Sequence, residues 1–188
     1  MKIIKQKIPE VLLLEPKVFG DDRGFFVETA RVSLHKDLGL PNLVQHNQSR
    51  SEKGVLRGLH YQLVNPQGKL VRCSSGRVFD VAVDIRRGSP SFGEWVGVIL
   101  DDCSHKQLWI PAGFAHGYLV LSEVADFCYL CSNYYDPSSE NGIIWNDSEL
   151  NISWPDLDKE YQPILSIKDR KYPTLKNQSK DCLPLYIS

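Results

Sequence analysis

Val78-Phe79-Asp80-Val81-Ala82-Val83-Asp84-Ile85 is the stretch that decides the fold. Side chains on an extended chain point alternately to opposite faces. Phe79, Val81, Val83 and Ile85 therefore share one face, and Val78, Asp80, Ala82 and Asp84 the other. A period of two predicts a β-strand. Arg87-Gly88-Ser89-Pro90 supplies turn chemistry immediately after it, and Phe92-Gly93 leads into a second extended run from Glu94 to Leu100. Asp101-Asp102 turns into Gln107 to Ile110, Pro111-Ala112-Gly113 turns again before Tyr118 to Leu121, and Asp126 to Cys131 continues the series.

Short strands at roughly ten-residue spacing, separated by turns, predict an antiparallel sandwich or barrel. Before residue 150 only one short helix is expected, with Ser33 as its N-cap and Gly39 followed by Pro41 as its stop. Beyond Trp154-Pro155 the chain is polar and punctuated by proline, which predicts short helices and loops wrapped around the barrel. The expected class is thus mainly β, an antiparallel barrel with a few short helices, mostly near the C-terminus. The 188 residues fit a single domain, 1–188.

Charge narrows the partners. With 22 Lys and Arg against 23 Asp and Glu, the formal net charge is -1, so nothing in bulk draws the chain to nucleic acid or an anionic membrane. Any phosphate it binds must be held by a local cluster of cations. The opening Met1 to Pro9 is polar and basic, and the apolar run Val11 to Leu14 is too short for a signal peptide, which needs about 7–15 apolar residues, or for a membrane helix, which needs about 20. A cytoplasmic protein is expected. The 5 cysteines are odd in number and lack framework spacing, as in a reducing compartment. Cys128 and Cys131 have a CxxC spacing, but on a strand an odd offset sends them to opposite faces, so they are expected to be packing residues.

Three stretches carry possible chemistry. In Gly54-Val55-Leu56-Arg57-Gly58-Leu59-His60-Tyr61-Gln62, two glycines bracket Leu56 and Arg57 and permit close backbone approach. Gln67-Gly68-Lys69-Leu70-Val71 is a turn feeding a strand that begins with lysine, and Pro111-Ala112-Gly113-Phe114-Ala115-His116-Gly117 is a turn delivering a histidine. The last matches half of the metal-site pattern of cupin barrels, in which Pro-x-Gly-x-x-His supplies one ligand. The other half requires His-x-His, and here His60-Tyr61-Gln62 puts an amide in the second position. Amides are poor transition-metal ligands, and two histidines leave a zinc or iron site short. A cupin-like barrel (jelly roll) with no metal is the expectation. Taken singly, each histidine, Arg57, Lys69 or Tyr129 is equally well a packed or surface residue. Together, His, Lys and Tyr at a barrel mouth have the parts for enolisation: a base that titrates near neutrality, a cation for an enolate oxygen and a phenol to return a proton.

These stretches, taken in order with Phe19-Gly20-Asp21-Asp22-Arg23-Gly24-Phe25-Phe26-Val27-Glu28, Gln45-His46-Asn47-Gln48-Ser49, Tyr134-Tyr135, Gly142-Ile143-Ile144-Trp145-Asn146-Asp147 and Ser166-Ile167-Lys168-Asp169, resemble the dTDP-4-dehydrorhamnose 3,5-epimerase family. The resemblance implies His60 as the base paired with Asp169, Lys69 at the oxygen that turns negative at C4, and Tyr129 as the acid across the ring. It implies Arg23, Arg57 and Lys168 at the diphosphate and adjoining nucleotide, and His116 beside the sugar. It further implies Glu28, Gln45, Asn47 and Glu140 as polar substrate contacts, and Phe19 and Tyr135 as aromatic neighbours of the thymine. It also implies a dTDP-linked 4-keto-6-deoxyhexose as substrate, no metal or organic cofactor, and a homodimer whose N-terminal strands exchange between barrels. One departure is Leu130, which follows Tyr129 where many members carry lysine; strand geometry turns it away from the acid. Two readings stay open beside the 3,5-epimerase: a 3-epimerase or ketoisomerase on a related nucleotide sugar, and a non-catalytic cupin-like sugar-binding protein; a metal-dependent cupin oxygenase would require an essential bound metal.

Overall fold

The computed structural model describes residues 1–155 and 162–187. In chain order the elements are β1 (Lys2–Lys5), β2 (Leu12–Glu15), β3 (Val18–Asp21), β4 (Gly24–Val27), α1 (Val32–Asp37), β5 (Gln45–Glu52), β6 (Leu56–Gln62) and β7 (Lys69–Ser75). They continue with β8 (Arg77–Asp84), β9 (Trp95–Asp101), β10 (Gln107–Ile110), β11 (Phe114–Val120), β12 (Val124–Cys131) and β13 (Glu140–Gly142), and a single 3-10 turn covers Lys180–Cys182. A six-stranded sheet runs β1-β2-β10-β7-β12-β5 and a five-stranded sheet runs β13-β6-β11-β8-β9. Every strand pairing within them is antiparallel. The architecture is the mainly β, cupin-like barrel expected.

The alternation of β8 explains how the two sheets come together. Val78 and Ala82 face inward, joining Val71, Leu108, Phe114 and Phe127 in the core between the sheets. Phe79, Val81, Val83 and, just past the strand, Ile85 face the other way, and they are buried as well. Their cover is the segment after β13, which lays Leu150, Trp154, Leu175 and Leu183 against the outside of the sheet. A strand buried on both faces therefore has a layer on each side, which is why this outer face is not left to solvent. The polar tail after Trp154 wraps the barrel as expected, but among the described residues it does so as turns with the one 3-10 turn, not as several short helices; positions 156–161 of that expectation lie outside them.

Strand bounds follow the sequence closely at β10 and shift slightly elsewhere. β9 runs one residue later than expected, β12 starts at Val124, and β11 starts at Phe114, so that His116 lies within the strand. Gly113, at φ +88°, completes the turn and lets the chain extend at once. The helix also starts earlier than expected. Arg31 occupies the N-cap with no side-chain cap, and Ser33 sits inside the first turn, where its hydroxyl caps nothing. The stop is as read: Gly39 has φ +71°, its N–H donates to Lys36 O, and Leu40 N–H donates to His35 O, a Schellman ending.

Outside the six-stranded sheet, a leucine cluster of Leu14, Leu40 and Leu70 with Trp109 takes in Leu130 from β12 and Leu38 from the end of the helix. Leu130 is thus a packing residue on the outer face. Cys128 and Cys131 are both buried, unpaired, and on opposite faces of β12. The hairpin β3–β4 stands apart as a two-stranded sheet, with Phe19, Phe25 and Phe26 all more than half exposed. Among the described residues no helix is long and apolar enough to cross a membrane.

Candidate active site

A cavity of about 510 Å³ opens between the two sheets. The five-stranded sheet contributes Arg57 and His60 from β6, His116 and Tyr118 from β11 and Glu140 from β13. The six-stranded sheet contributes Gln45, Asn47 and Ser49 from β5, Lys69 from β7, and Phe127 and Tyr129 from β12. Ser166, Lys168 and Asp169 reach it from the loop beyond the sheets.

Arg57 and His60 are three residues apart, an odd offset that would separate them on a regular strand. The ladder between β6 and β11 removes the conflict: His116 pairs with His60 and Tyr118 with Arg57, with a register shift between them. Two residues of β11 thus span three of β6, and the bulge turns both side chains into the barrel. Glycine makes room for it. Gly58 has φ +132°, and a Cβ there would lie 2.5 Å from Gly117 Cα. Gly58, one of the two glycines that bracket Leu56 and Arg57, is therefore the device that aims His60 into the cavity.

His60 is held from several sides. Its Nε2 lies 2.5 Å from Asp169 Oδ1, and Asp169 is 2% exposed. Burial alone would raise the Asp169 carboxyl, but the hydrogen bond and charge of His60, with Ser166 and Lys168, hold it below the usual carboxylate range. A carboxylate only accepts, so in the neutral ring Nε2 carries the proton and Nδ1 keeps the lone pair. Tyr172 packs edge-on against the imidazole, ring centroids 5.7 Å apart, and it fits only because position 142 is glycine. Nδ1 lies 3.9 Å from Glu140 Oε1.

The facing wall supplies the cation and the phenol. Tyr129 pairs with Asn47 on one side and Val71 on the other, while Cys131 pairs with Gln45 and Lys69, so all these side chains share the inner face. Burial pushes the Lys69 ammonium below the usual lysine value, partly offset by the nearby Cys131, Glu140 and Asp80. Among the described residues its Nζ has no hydrogen bond or ion pair. Burial, with Cys131 and Tyr118 nearby, raises the Tyr129 phenol, so it keeps its proton at neutral pH. Gln45 donates to Asn47 Oδ1 at 3.0 Å and accepts from the Tyr135 N–H at 2.9 Å, tying the Tyr135 loop to the wall.

At the rim, Arg57 is exposed and donates to Ser51 Oγ at 3.1 Å. Lys168 bonds both oxygens of Glu140, and Tyr135 donates to Glu140 Oε2 at 2.8 Å. That bond, with burial, pushes Tyr135 up to about 12. His116 is buried on Asp80 Oδ2 at 2.9 Å and stacks on Phe127, which in turn stacks on Tyr118.

Eleven of the fourteen expected site residues therefore line one cavity. Phe19, Arg23 and Glu28 do not. Phe19 and Arg23 lie on the free-standing hairpin and Glu28 just after it; Arg23 is bonded to Asp21 and Glu28 to Arg31 at 3.0 Å. Asp80, Tyr118, Tyr172 and Ser166 were not anticipated. Two of them carried a signal: Asp80 is an acid on the strand face that also bears Val78 and Ala82, and Ser166 opens the motif that ends at Asp169. Gln62, at the place where a metal-binding cupin has histidine, spends its amide on the loop, donating to Asn65 O and Tyr134 O and accepting from Asp136 N–H. Among the described residues, no three His, Cys, Asp or Glu side chains gather as an ion cage.

Comparison with known proteins gives the same direction. The sequence profile described as dTDP-4-dehydrorhamnose 3,5-epimerase matches residues 5–177. The chain is 53% identical over 186 residues to dTDP-4-dehydrorhamnose 3,5-epimerase of Pseudomonas aeruginosa, covering 98% of this chain and 100% of that one. Its fold is similar to the crystal structure of dTDP-6-deoxy-D-glucose-3,5-epimerase RmlC from Legionella pneumophila in complex with dTDP-4-keto-L-rhamnose, with a TM-score of 0.96, 51% identity and coverage of 100% and 99% of the two chains. It is also similar to ChmJ, a 3'-monoepimerase from Streptomyces bikiniensis in complex with dTDP-quinovose, with a TM-score of 0.88, 35% identity and coverage of 97% and 92%.

Proposed function

The chain belongs to the dTDP-4-dehydrorhamnose 3,5-epimerase family, and from that membership we propose that its inter-sheet cavity inverts C3 and C5 of dTDP-4-dehydro-6-deoxy-D-glucose, giving dTDP-4-dehydro-L-rhamnose. The observation that carries the reading is the division of labour between walls: the His60–Asp169 pair lies on one side, and Lys69 and Tyr129 lie on the other.

A ketone at C4 acidifies the hydrogens on C3 and C5 alike, because either carbanion delocalises onto the same oxygen. His60 Nδ1 takes the proton, and Asp169 on Nε2 steadies the imidazolium that results. The Lys69 ammonium, with no competing partner among the described residues, stabilises the enolate oxygen. Tyr129 then delivers its proton from the facing wall, and protonation from the face opposite to removal inverts the centre. His60 loses its proton to solvent and Tyr129 regains one before the second centre reacts.

The chain acts as one catalytic domain in a homodimer. The β3–β4 hairpin, with its exposed phenylalanines, extends to the partner's barrel and brings Phe19, Arg23 and Glu28 to the partner's cavity. An apolar surface of that kind is expected to be covered by protein. The enzyme is cytoplasmic, and its product supplies deoxysugar for cell-surface polysaccharide such as lipopolysaccharide. The likeness to ChmJ favours a second reading, inversion at C3 alone. Proton NMR of the product from dTDP-4-dehydro-6-deoxy-D-glucose separates them, since the ring coupling constants report each centre. A product inverted at both supports the proposal; a product inverted at neither defeats it.

A further inference from the structure

Glu140 stands where the base, a rim cation and a phenol meet. Its Oε1 is 3.9 Å from Nδ1 of His60, the nitrogen that receives the proton. Its side chain is 16% exposed, whereas that of Lys168, which bonds it at 2.8 and 2.7 Å, is 49% exposed. The carboxylate is thus set in the wall and the ammonium stands in solvent at the mouth. Backbone pairing of Glu140 with Gln62 and Gly142 with His60 fixes the carboxylate's strand without help from the ion pair. The other titratable groups around His60 are Asp169, Tyr172 and His116 across the ladder, and none of them is hydrogen-bonded to Lys168 among the described residues.

A carboxylate this close to an imidazole favours its cationic form, which is the form that proton abstraction creates. Lys168 shields that charge. A substrate diphosphate at the mouth offers Lys168 a second anionic partner with strong charge-assisted bonds. We infer that Glu140 is a positioning residue for His60, shielded by Lys168 until the diphosphate draws that ammonium outward, so that docking of the nucleotide end strengthens the base. This rests on the epimerase reading above and deepens it.

The two partners of this ion pair then have opposite signatures. Steady-state kinetics on dTDP-4-dehydro-6-deoxy-D-glucose is expected to show kcat falling about tenfold in Glu140→Gln with KM unchanged or lower, the scale of one charge beside a developing cation in a part-buried site. Lys168→Gln is expected to raise KM while kcat stays at or above that of the native enzyme. Glu140→Asp, which keeps the charge, should recover part of the lost kcat. Parallel losses of kcat in Glu140→Gln and Lys168→Gln, or an Asp variant no better than Gln, would overturn the inference while leaving the epimerase reading intact. A native enzyme inert on this substrate would instead defeat that reading, and the inference with it.

Discussion

Burial moves Lys69 and Tyr129 in opposite directions from their ordinary values, and the lysine sets the alkaline side of catalysis. Burial lowers the lysine from 10.5 and raises the phenol from 10.0. As pH rises, the ammonium therefore loses its proton below the ordinary lysine value, while the phenol holds its own above the ordinary tyrosine value. Activity should fall at a pH below the ordinary lysine value, and Lys69→Arg, slower but permanently charged, should carry that limb to higher pH. An unmoved limb would assign it to another group. Lys69→Ala should cost about 10²–10³ in kcat, the usual effect of losing an oxyanion donor, and His60→Ala more. Full activity in either variant would remove that residue from the reaction. His60, Lys69, Tyr129 and Asp169 could be picked out because each sits in an ordered run of motifs. Tyr172 could not: its contact with the imidazole depends on where a loop returns, which no local pattern encodes.

The β6–β11 crossing is the element on which the site depends. Gly58→Ala puts a Cβ into the Gly117 backbone at a positive φ, and nothing flexible can yield. Its expected cost is about 2 kcal/mol or more in urea unfolding, with loss of activity as the bulge that aims Arg57 and His60 is displaced. At the end of β8, Asp84 is fully buried, accepting from Arg86, Ser89 and Ser91, with Arg86 also clamped on Glu10. Burial would raise its carboxyl, but these bonds hold it below 3.8. A depressed carboxyl adds stability above its unfolded value and loses it as pH falls through the folded one. Acid unfolding should therefore steepen below about pH 4, and Asp84→Asn should flatten that slope while lowering stability at neutral pH. The regular strands were legible because each has a core face. β5 had no such signal: Gln45, Asn47 and Ser49 line the cavity, and His46, Gln48 and Arg50 face solvent, so it has no apolar alternation to read.

The barrel gathers eleven of the fourteen expected site residues around one cavity, and the β3–β4 hairpin lies outside that lining. If Arg23 acts in the partner's cavity, mixing Arg23→Ala with His60→Ala should regenerate one intact site per hybrid dimer and restore activity above that of either variant alone. No restoration would return Arg23 to its own barrel. The barrel could be inferred from strand spacing, whereas only the family resemblance spoke to the hairpin, whose exposed phenylalanines belong to no core alternation. If His60 removes the proton beside the ketone, deuterium exchange into the sugar depends on its imidazole. In deuterated water with dTDP-4-dehydro-6-deoxy-D-glucose, NMR should find deuterium at C3 and C5 with the native protein and essentially none with His60→Ala. Undiminished incorporation by the His60→Ala variant would assign the proton transfer to another group.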